Sequence, residues 1–464
     1  MSLGPVVLDN GSWRVRCGFA EGGAEPRIVA PNCTGRPKGQ LKVLVADEIY
    51  ALRNLAQLEF QRPLVRGFFV DAGCEFDVWR RLVESASGLG VPARDSKLLC
   101  TEPALWNPSS QRALDELIFE DMEFQSAVVK PAPCLAALDA THAAGTAGTA
   151  DDAATANGAA DGAENAAGPA AERPRPPAAL KGDETLVVVD LGHSATHVVP
   201  TVSKAGFHRA AVSGAVRRLD VGGQLLTGYL REMVSYRQYN MMDEGVVLDK
   251  AKCALGFVSP NVKDDLKRCD GTTVENAYCG ELYAEYVLPD YHTIQEGHCR
   301  FASYPPAKGG ESLKGEARPA RQRRTRTDAT PQFLRLESER FCVPEILFSP
   351  MDLGLSQAGL HELVADALRA AEAASAPKRN VRVVLAGGGA NLYGLEARLF
   401  AELRPLLPHF QNLSVETSRT PEHAAYRGGA IFAAHASSYD AACCTRAQYL
   451  EHGARGPRDV ADYA

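Results

Sequence analysis

The sequence lacks the features that would place the protein in a membrane, outside the cell or around a metal ion. No apolar run approaches the roughly 18 residues that a membrane-spanning helix needs. The opening MSLGPVVLDN has no basic region followed by an apolar stretch, as a secretory signal would. None of the 12 cysteines is spaced as C-x-x-C, and H-E-x-x-H is absent, so no metal site is predicted. We therefore expect an intracellular protein with buried, reduced thiols.

Length and charge set further bounds on the class of protein. A chain of 464 residues can form two or three domains with sizeable cores. A formal net charge of -7 argues against general affinity for nucleic acid, though not against a local basic patch.

Two segments are poor in the large apolar residues that a core needs. Residues 139–180 are mostly Ala, Gly, Thr, Asp and Pro, and Leu180 is their only large apolar side chain. Such a segment cannot offset its ordering entropy by burial, so a disordered Ala/Gly-rich insertion is predicted over 139–184. A second insertion, predicted over about 291–331, carries an arginine cluster: Arg318, Arg321, Arg323, Arg324 and Arg326. This cluster is either a solvated loop or an import signal or nucleosome-contacting patch.

Outside these segments, predicted strands and helices alternate, which favours an α/β architecture. Short apolar runs predict buried strands at Pro5–Leu8, Leu186–Val189 and Val381–Leu385. Turn signals and apolar residues at helical spacing predict helices over Gln111–Phe124, Gln224–Tyr236 and Leu355–Ala373.

Two β-hairpins of similar design are predicted far apart in the chain. Each combines an apolar strand, an Asp and a Gly-containing turn: Val6–Leu8 with Asp9, Gly11 and Ser12, and Val187–Val189 with Asp190 and Gly192. Such turns point backbone N–H groups outward and make a concave site for phosphate oxygens. The Asp could contact a hydrated Mg²⁺ that bridges to the phosphates. Two such hairpins from two domains could clamp a polyphosphate between them.

Two further glycine-rich turns fit the same site. Asp220–Gly223 precedes a predicted helix, and Gly387–Gly389 follows a predicted strand. Backbone amides at such junctions favour a phosphate or the edge of a nucleoside. Each turn alone is a weak signal, because most such turns are only connections; the ordered set of four is what points to a nucleotide cleft.

In this order the motifs resemble the actin superfamily. The resemblance covers the two hairpins, the turns at Arg218–Gly223 and Gly387-Gly388, the connecting segment Thr101–Pro108, and Glu339–Phe348. It implies an actin-like fold of two ribonuclease-H-like α/β domains around a nucleotide cleft. The first domain is expected to comprise residues 1–138 and about 420–464, and the second residues 185–419.

The resemblance also implies the residues of the cleft. The expected nucleotide-binding set is Asp9, Gly11, Ser12, Arg16, Asp190, Gly192, Gly222, Gly387 and Gly388. The cofactor would be ATP or ADP, with or without Mg²⁺, in a structural role, and neither a catalytic residue nor a dedicated metal ligand is assigned.

Shorter matches resemble one nuclear subfamily, that of actin-related protein 6. They include Ser235–Tyr239, Met242–Glu244, Gln61–Val70 and Glu285–Asp290. The implied function is that of a structural subunit of a Swr-type chromatin remodeller, which exchanges a variant histone dimer into nucleosomes. The implied partners are the remodeller ATPase, its accessory subunits, and histones or the nucleosome. The expected location is the nucleus, with a cytoplasmic pool also compatible.

Departures from the actin pattern argue against ATP turnover. His193 stands where actin has an Asp that organises the water shell of the metal, and an imidazole is a poor partner for hydrated Mg²⁺. Pro131 aligns with the glutamine that orients water, and its side chain can neither donate nor accept a hydrogen bond. Trp13 replaces a small Gly, Arg16 replaces a phosphate-binding Lys, and Cys253 replaces a Glu near the base.

The sequence leaves nucleotide binding open. Either the retained Asp and Gly residues hold a nucleotide, or they persist because the hairpin turns need them. Filament formation is not expected, because the region between Gly35 and Phe60 is shorter than in actin and lacks its mobile contact loop. The alternative function is a cytoskeletal actin-like ATPase; a sugar or acetate kinase is disfavoured because Glu339–Phe348 matches actins specifically.

Overall fold

The computed structural model describes residues 4–21, 25–52, 58–154, 184–203, 209–212, 214–269, 282–302, 331–374 and 378–453. The strands are β1 Val6–Asn10, β2 Arg14–Phe19, β3 Ile28–Pro31, β4 Thr34–Pro37, β5 Leu44–Val45, β6 Leu58–Gln61, β7 Leu64–Val65, β8 Phe68–Phe69, β9 Lys97–Glu102, β10 Ser126–Pro131, β11 Glu184–Leu191, β12 Thr196–Ser203, β13 Arg209–Ala211, β14 Arg217–Leu219, β15 Ala284–Val287, β16 His298–Ala302, β17 Phe333–Leu336, β18 Asn380–Ala386, β19 Asn412–Thr417 and β20 Cys444–Thr445.

The helices are α1 Ala72–Val83, α2 Pro108–Glu116, α3 Ala132–Ala154, α4 Gly223–Arg237, α5 Gly245–Leu255, α6 Val262–Cys269, α7 Glu339–Glu345, α8 Leu360–Ala374, α9 Leu395–Leu403, α10 Ala424–Ala434, α11 Ala436–Ala442 and α12 Arg446–His452. Among the described helices, none is both long enough and apolar enough to cross a lipid bilayer.

The two large sheets repeat one arrangement. Sheet one has the order β20-β10-β9-β1-β2-β3, and sheet two has the order β13-β12-β11-β18-β19, with β14 also paired to β12. In each, a central antiparallel hairpin, β1–β2 or β11–β12, is flanked by two later strands that run parallel to its first strand. The predicted actin-like fold with two similar α/β halves is confirmed.

Each half has its own apolar core. Val187, Val189 and Leu385 of sheet two pack with helices α4, α5, α8 and α9, and Leu8, Leu98 and Val129 of sheet one pack with α1 and α2. The inner parallel strands, such as β1, β10 and β18, are buried on both faces, which explains their apolar runs. C-terminal elements return to sheet one, because β20 pairs with β10 and α10 packs against Val7, Leu99 and Val128.

The first insertion begins later in the structure than the sequence predicts. Helix α3 continues through residue 139 to Ala154, and Asp139 is buried in an ion pair with Arg427. The predicted disorder is therefore wrong at the N-terminal end of the 139–184 segment, where Ala, the strongest helix former, extends a helix that tertiary contacts already anchor. Residues 155–183 lie outside the described part of the chain.

The second predicted insertion also begins later than expected. Strand β16, His298–Ala302, pairs with β15, so part of the predicted low-order stretch from 291 belongs to a three-stranded sheet. Residues 303–330, which include Arg318–Arg326, lie outside the described residues.

Of the three predicted helices, Gln224–Tyr236 is confirmed within α4. The helix predicted from Leu355 begins instead at Leu360, where the Glu362 carboxylate accepts a hydrogen bond from the Gly359 amide at 3.0 Å. The helix predicted to reach Phe124 ends at Glu116 and continues as a short π-helical turn, Leu117–Asp121.

Candidate functional site

The turn of the first hairpin is held by a buried polar network. The Thr101 hydroxyl accepts a hydrogen bond from the Asn10 amide and donates one to Asp9 Oδ1, both at 2.8 Å. Arg16 Nη1 donates to Asp9 Oδ2 at 3.1 Å. Both oxygens of the Asp9 carboxylate are therefore engaged by residues of the same half of the molecule.

A second layer supports this turn from behind. Asn32 Nδ2 lies 3.1 Å from the Gly11 carbonyl oxygen and 3.5 Å from Glu75 Oε1, which also accepts a hydrogen bond from Trp79 Nε1 at 3.1 Å. Burial raises the pKa of Glu75 to about 7, against the opposing effect of these hydrogen bonds. Its Oε2 is buried without a hydrogen-bond partner within the described residues. The protonated, uncharged form of Glu75 thus suits this position.

The second hairpin is surrounded by glycines at points of close backbone approach. A Cβ at Gly222 would lie 2.5 Å from the His193 carbonyl oxygen, so only Gly lets α4 start against this turn. The Gly223 amide donates to the Gly192 carbonyl oxygen at 3.0 Å and the Gln224 amide to that of His193 at 2.8 Å. The first amides of α4 therefore hold the hairpin itself.

The Gly387 turn closes over the end of β11. Gly387 has a φ of 81°, and a Cβ there would lie 2.7 Å from Asp190 Oδ1 and 2.6 Å from the Leu191 carbonyl oxygen. A side chain is excluded on both grounds. Burial and the charge of Asp9 raise the pKa of Asp190 to about 6, and Arg16 partly offsets both effects.

Across the cleft, the two hairpins contact each other directly. The Ser194 hydroxyl donates to the Ser12 hydroxyl at 2.8 Å. The rings of Trp13 and His193 are stacked at a tilt of 32°, with centroids 4.5 Å apart, and the Arg62 guanidinium lies 4.2 Å from the centre of the Trp13 ring on its face. We call Ser12, Trp13, Arg62, His193 and Ser194 the front contact.

Electrostatics keep His193 neutral in the front contact. Burial and the positive charge of Arg62 lower its pKa to about 3, and Lys252 acts in the same direction. Lys252 is itself fixed, because its Nζ donates to Asp249 Oδ1 and Thr227 Oγ1 at 2.7 Å and to the Gly223 carbonyl oxygen at 3.0 Å. A neutral imidazole supplies no negative charge to a hydrated Mg²⁺, which prefers oxygen ligands.

The two hydroxyls that face each other across the cleft are hydrogen-bonded to each other. Hydroxyls that each bind an oxygen of one phosphoryl group need separate hydrogen bonds of about 2.7 Å, so they stand much further apart than the 2.8 Å between Ser12 and Ser194. Asp9 is already paired. Within the described residues, no group of three or more His, Cys, Asp or Glu side chains is arranged to hold a metal ion.

The inner part of the cleft still suits an anionic group. Arg16 Nε is buried and has no hydrogen-bond partner in the described part of the chain, so it can donate to a phosphate oxygen. A Cβ at Gly388 would meet no atom within 4 Å, which leaves open space beside the Gly387 turn. A nucleotide held here would contact Arg16 and the Gly387–Gly388 backbone.

Comparison with known proteins decides the family. The family model described as Actin matches residues 2–458. The chain belongs to the actin family. Relatives named "Actin-related protein 6" are similar over nearly the whole chain. The protein from Oryza sativa subsp. japonica is 33% identical over 97% of this chain and 96% of its own length. Those from Arabidopsis thaliana and Drosophila melanogaster are 31% and 29% identical, over 97% and 98% of this chain and 97% and 99% of their own lengths.

The structure brings most of the predicted binding residues together around one cleft. Asp9, Gly11, Ser12 and Arg16 lie on the first hairpin and Asp190 and Gly192 on the second, with Gly387 against Asp190. Gly222 differs in its contacts, because its neighbours are the backbone of the second hairpin. Pro131 ends β10 opposite Glu102, and Cys253 is exposed on α5.

Sequence reasoning missed the residues that reach the cleft from elsewhere in the chain. Arg62, Asn32, Glu75 and Lys252 come from separate elements, and none lies in a glycine-rich turn. Only Arg62 carries a signal, since it lies in the segment Gln61–Val70 that resembles the subfamily.

Proposed function

We propose that this actin-family chain is a nuclear structural subunit of a Swr-type chromatin-remodelling complex that exchanges a variant histone into nucleosomes. Its partners are the remodeller ATPase, accessory subunits, and histones or the nucleosome. The proposal is supported by full-length similarity to relatives named "Actin-related protein 6" and by the shorter motifs that resemble this subfamily.

The same proposal assigns the cleft a structural role without efficient ATP hydrolysis. The observation that carries this part is the front contact, in which Ser12 meets Ser194 and Trp13 stacks on His193. The resemblance to actin implies that Trp13 and His193 stand in the loops that contact the phosphates and the water shell of the metal. A nucleotide bound deeper in the cleft would be retained as part of the fold.

Purification from the native organism tests the complex. A tagged full-length chain, isolated at low salt and analysed by mass spectrometry, is expected to bring down a remodelling ATPase and helicase-like subunits. Recovery of tubulin or motor components instead would overturn the assignment. The same strain, imaged with a fluorescent fusion, is expected to show nuclear enrichment.

Phosphate release tests the cleft. The purified chain with ATP and Mg²⁺ is expected to release no more phosphate than the variant Asp9→Ala, which removes the carboxylate of the first hairpin. Release by the wild-type chain clearly above that of Asp9→Ala would favour the alternative, an actin-like ATPase.

Salt and Mg²⁺ are expected to produce no sedimenting polymer.

A further inference from the structure

Two described segments, which we call routes, lie between elements of the two large sheets in the sequence. The first is α3, which follows β10 of sheet one and precedes β11 of sheet two along the sequence. The second is the segment 418–423, which connects β19 of sheet two to α10 on sheet one. Any change in the angle between the two halves must bend or shift these routes.

The first route, helix α3, packs against both sheets. Leu135 and Leu138 of α3 pack with α10 and sheet one. Ala136, Ala137 and Ala140 pack against Val188 and Val384 of sheet two. Helix α3 therefore lies between the halves, with Asp139 on the turn that joins its two faces.

The two routes are also in direct backbone contact. Where α3 crosses α10, a Cβ at Gly428 would lie 1.8 Å from the Leu135 carbonyl oxygen. Only glycine permits this approach. The residue before it, Arg427, is thereby placed with its side chain at the crossing.

Arg427 uses its whole guanidinium group there. Its Nε and Nη2 donate to the two oxygens of Asp139 at 3.0 and 2.7 Å, in a bidentate pair. Nη2 also donates to the Ser418 hydroxyl at 3.1 Å, and Nη1 donates to Glu25 Oε1 at 3.2 Å and to the Thr420 hydroxyl. The Arg427 and Asp139 side chains are only 9% and 10% exposed.

These partners link both routes to the cleft. Ser418 donates its amide to Leu385 of β18, and Pro421 accepts a hydrogen bond from the Gly387 amide at 2.8 Å. Glu25 lies on the connection after β2 and also contacts His423 at 2.6 Å. The ion pair is thus connected through short backbone contacts to the Gly387 turn.

We infer that Arg427, with Asp139, Glu25, Ser418 and Thr420, forms an interdomain clasp that fixes the angle between the two halves. A planar guanidinium that donates to side chains from three segments allows one arrangement of the two routes. The angle of the cleft is then set by the protein and does not follow nucleotide binding.

Distance measurement across the cleft tests the clasp. Spin labels are placed on noncanonical amino acids, since the chain has 12 cysteines. Suitable positions are Leu41 in the first half and Tyr236 in the second, which are 96% and 93% exposed. The full-length wild-type chain is expected to give one narrow distance distribution that neither ADP nor ATP with Mg²⁺ shifts.

The variant Arg427→Met/Asp139→Leu removes both charges, so that neither is left buried without its partner. It is expected to broaden the distribution and to let nucleotide shift it. The matched control is Arg398→Met/Glu345→Leu, which removes a similarly buried pair, 12% and 11% exposed, inside the second half alone. This control is expected to keep the wild-type distribution.

Arg427→Lys keeps the charge but loses the planar fork, and it covers the case in which the double variant does not fold. It is expected to broaden the distribution less than the double variant. A folded clasp variant with the wild-type distribution, or an equal broadening in the Arg398 control, would overturn the inference.

Discussion

The two ends of the interdomain cleft are held together by different chemistry. At the front contact, the groups that meet across the cleft are neutral: two hydroxyls, Ser12 and Ser194, and a tryptophan against a neutral histidine, while the cationic Arg62 packs on Trp13. At the interdomain clasp, a buried arginine pairs with Asp139 and contacts Glu25 beside a glycine helix crossing.

The difference predicts how each end responds to change. A neutral hydrogen bond contributes about 0.5–1.5 kcal/mol net and can be exchanged for water or a ligand at little cost. Removal of one member of a buried ion pair leaves the other charge without compensation and costs several times more, about 3–5 kcal/mol. The front is therefore the end at which a ligand or partner can displace side-chain contacts, while the clasp fixes the angle between the two halves.

The largest effect is expected from loss of the clasp arginine. Arg427→Met should lower the free energy of unfolding by about 3–5 kcal/mol, because Asp139 stays buried without its partner. Adding Asp139→Leu should recover most of this loss. Urea denaturation measures both.

An exposed ion pair provides the control for this prediction. Lys97 and Asp440 lie 3.2 Å apart and are about half exposed, so Lys97→Met should change stability by only about 0–1 kcal/mol. If Arg427→Met lowers the free energy of unfolding no more than Lys97→Met does, the contrast between the two ends of the cleft is wrong.

A steric change at the helix crossing should come next. Gly428→Ala places a methyl group into the Leu135 carbonyl and should cost about 1–3 kcal/mol as α3 and α10 are forced apart. Gly228 lies inside α4 with nothing within 4 Å of its Cβ position. There the same substitution should stabilise by about 0.5–1 kcal/mol, because Ala favours helix over Gly. Equal effects at the two sites, read from denaturation midpoints, would contradict the close crossing.

Glu75 tests the support behind the first hairpin. Its pKa is raised to about 7, so the folded chain binds an extra proton between the ordinary carboxyl pKa and about pH 7. Stability should therefore fall as the pH rises through this window. Glu75→Gln is neutral throughout and can still accept from Trp79 and Asn32, so it should be more stable than wild type at pH 8 by about 1–3 kcal/mol. At pH 5 the two should be nearly equal. If the free energies of unfolding of wild type and Glu75→Gln change in parallel with pH, Glu75 ionises freely.

The sequence could predict those parts of the cleft that depend on local turns. Asp9 with Gly11 and Asp190 with Gly192 are close in sequence, and their strand–turn pattern predicts hairpins directly. The side chains that complete the front contact are not local. Arg62 directly follows β6, and its side chain contacts Trp13. The position of β6 follows from its pairing with β4, which leaves no periodic signal around Arg62.

The first predicted insertion also depends on a contact that is distant in the sequence. Its Ala-rich composition fits both disorder and helix, and composition alone favours disorder when large apolar residues are missing. What anchors α3 at Asp139 is Arg427, 288 positions away in the sequence. A contact at that separation becomes visible only once the two routes between the sheets are known to cross.

The smallest effect is expected at the front contact itself. The ordinary histidine pKa of about 6.5 is lowered to about 3 at His193, so the unfolded chain binds a proton there before the folded chain does. The contribution of His193 to the free energy of unfolding is fully present above about pH 6.5, and it is lost as the pH falls toward 3. Between pH 8 and pH 6 the wild type should lose about 0.5–1 kcal/mol that His193→Phe, which keeps a ring on Trp13, does not lose.

Thermal melts of the two proteins across pH 5–8, followed by tryptophan fluorescence, measure this difference. If His193→Phe and wild type lose stability in parallel, His193 is not held neutral against Trp13. The front of the cleft would then accept a protonated imidazole, and its closure could not be attributed to neutral contacts. If they diverge only below the ordinary histidine pKa, the contact is neutral at physiological pH, and an anionic ligand gains no charge attraction from His193 when it enters.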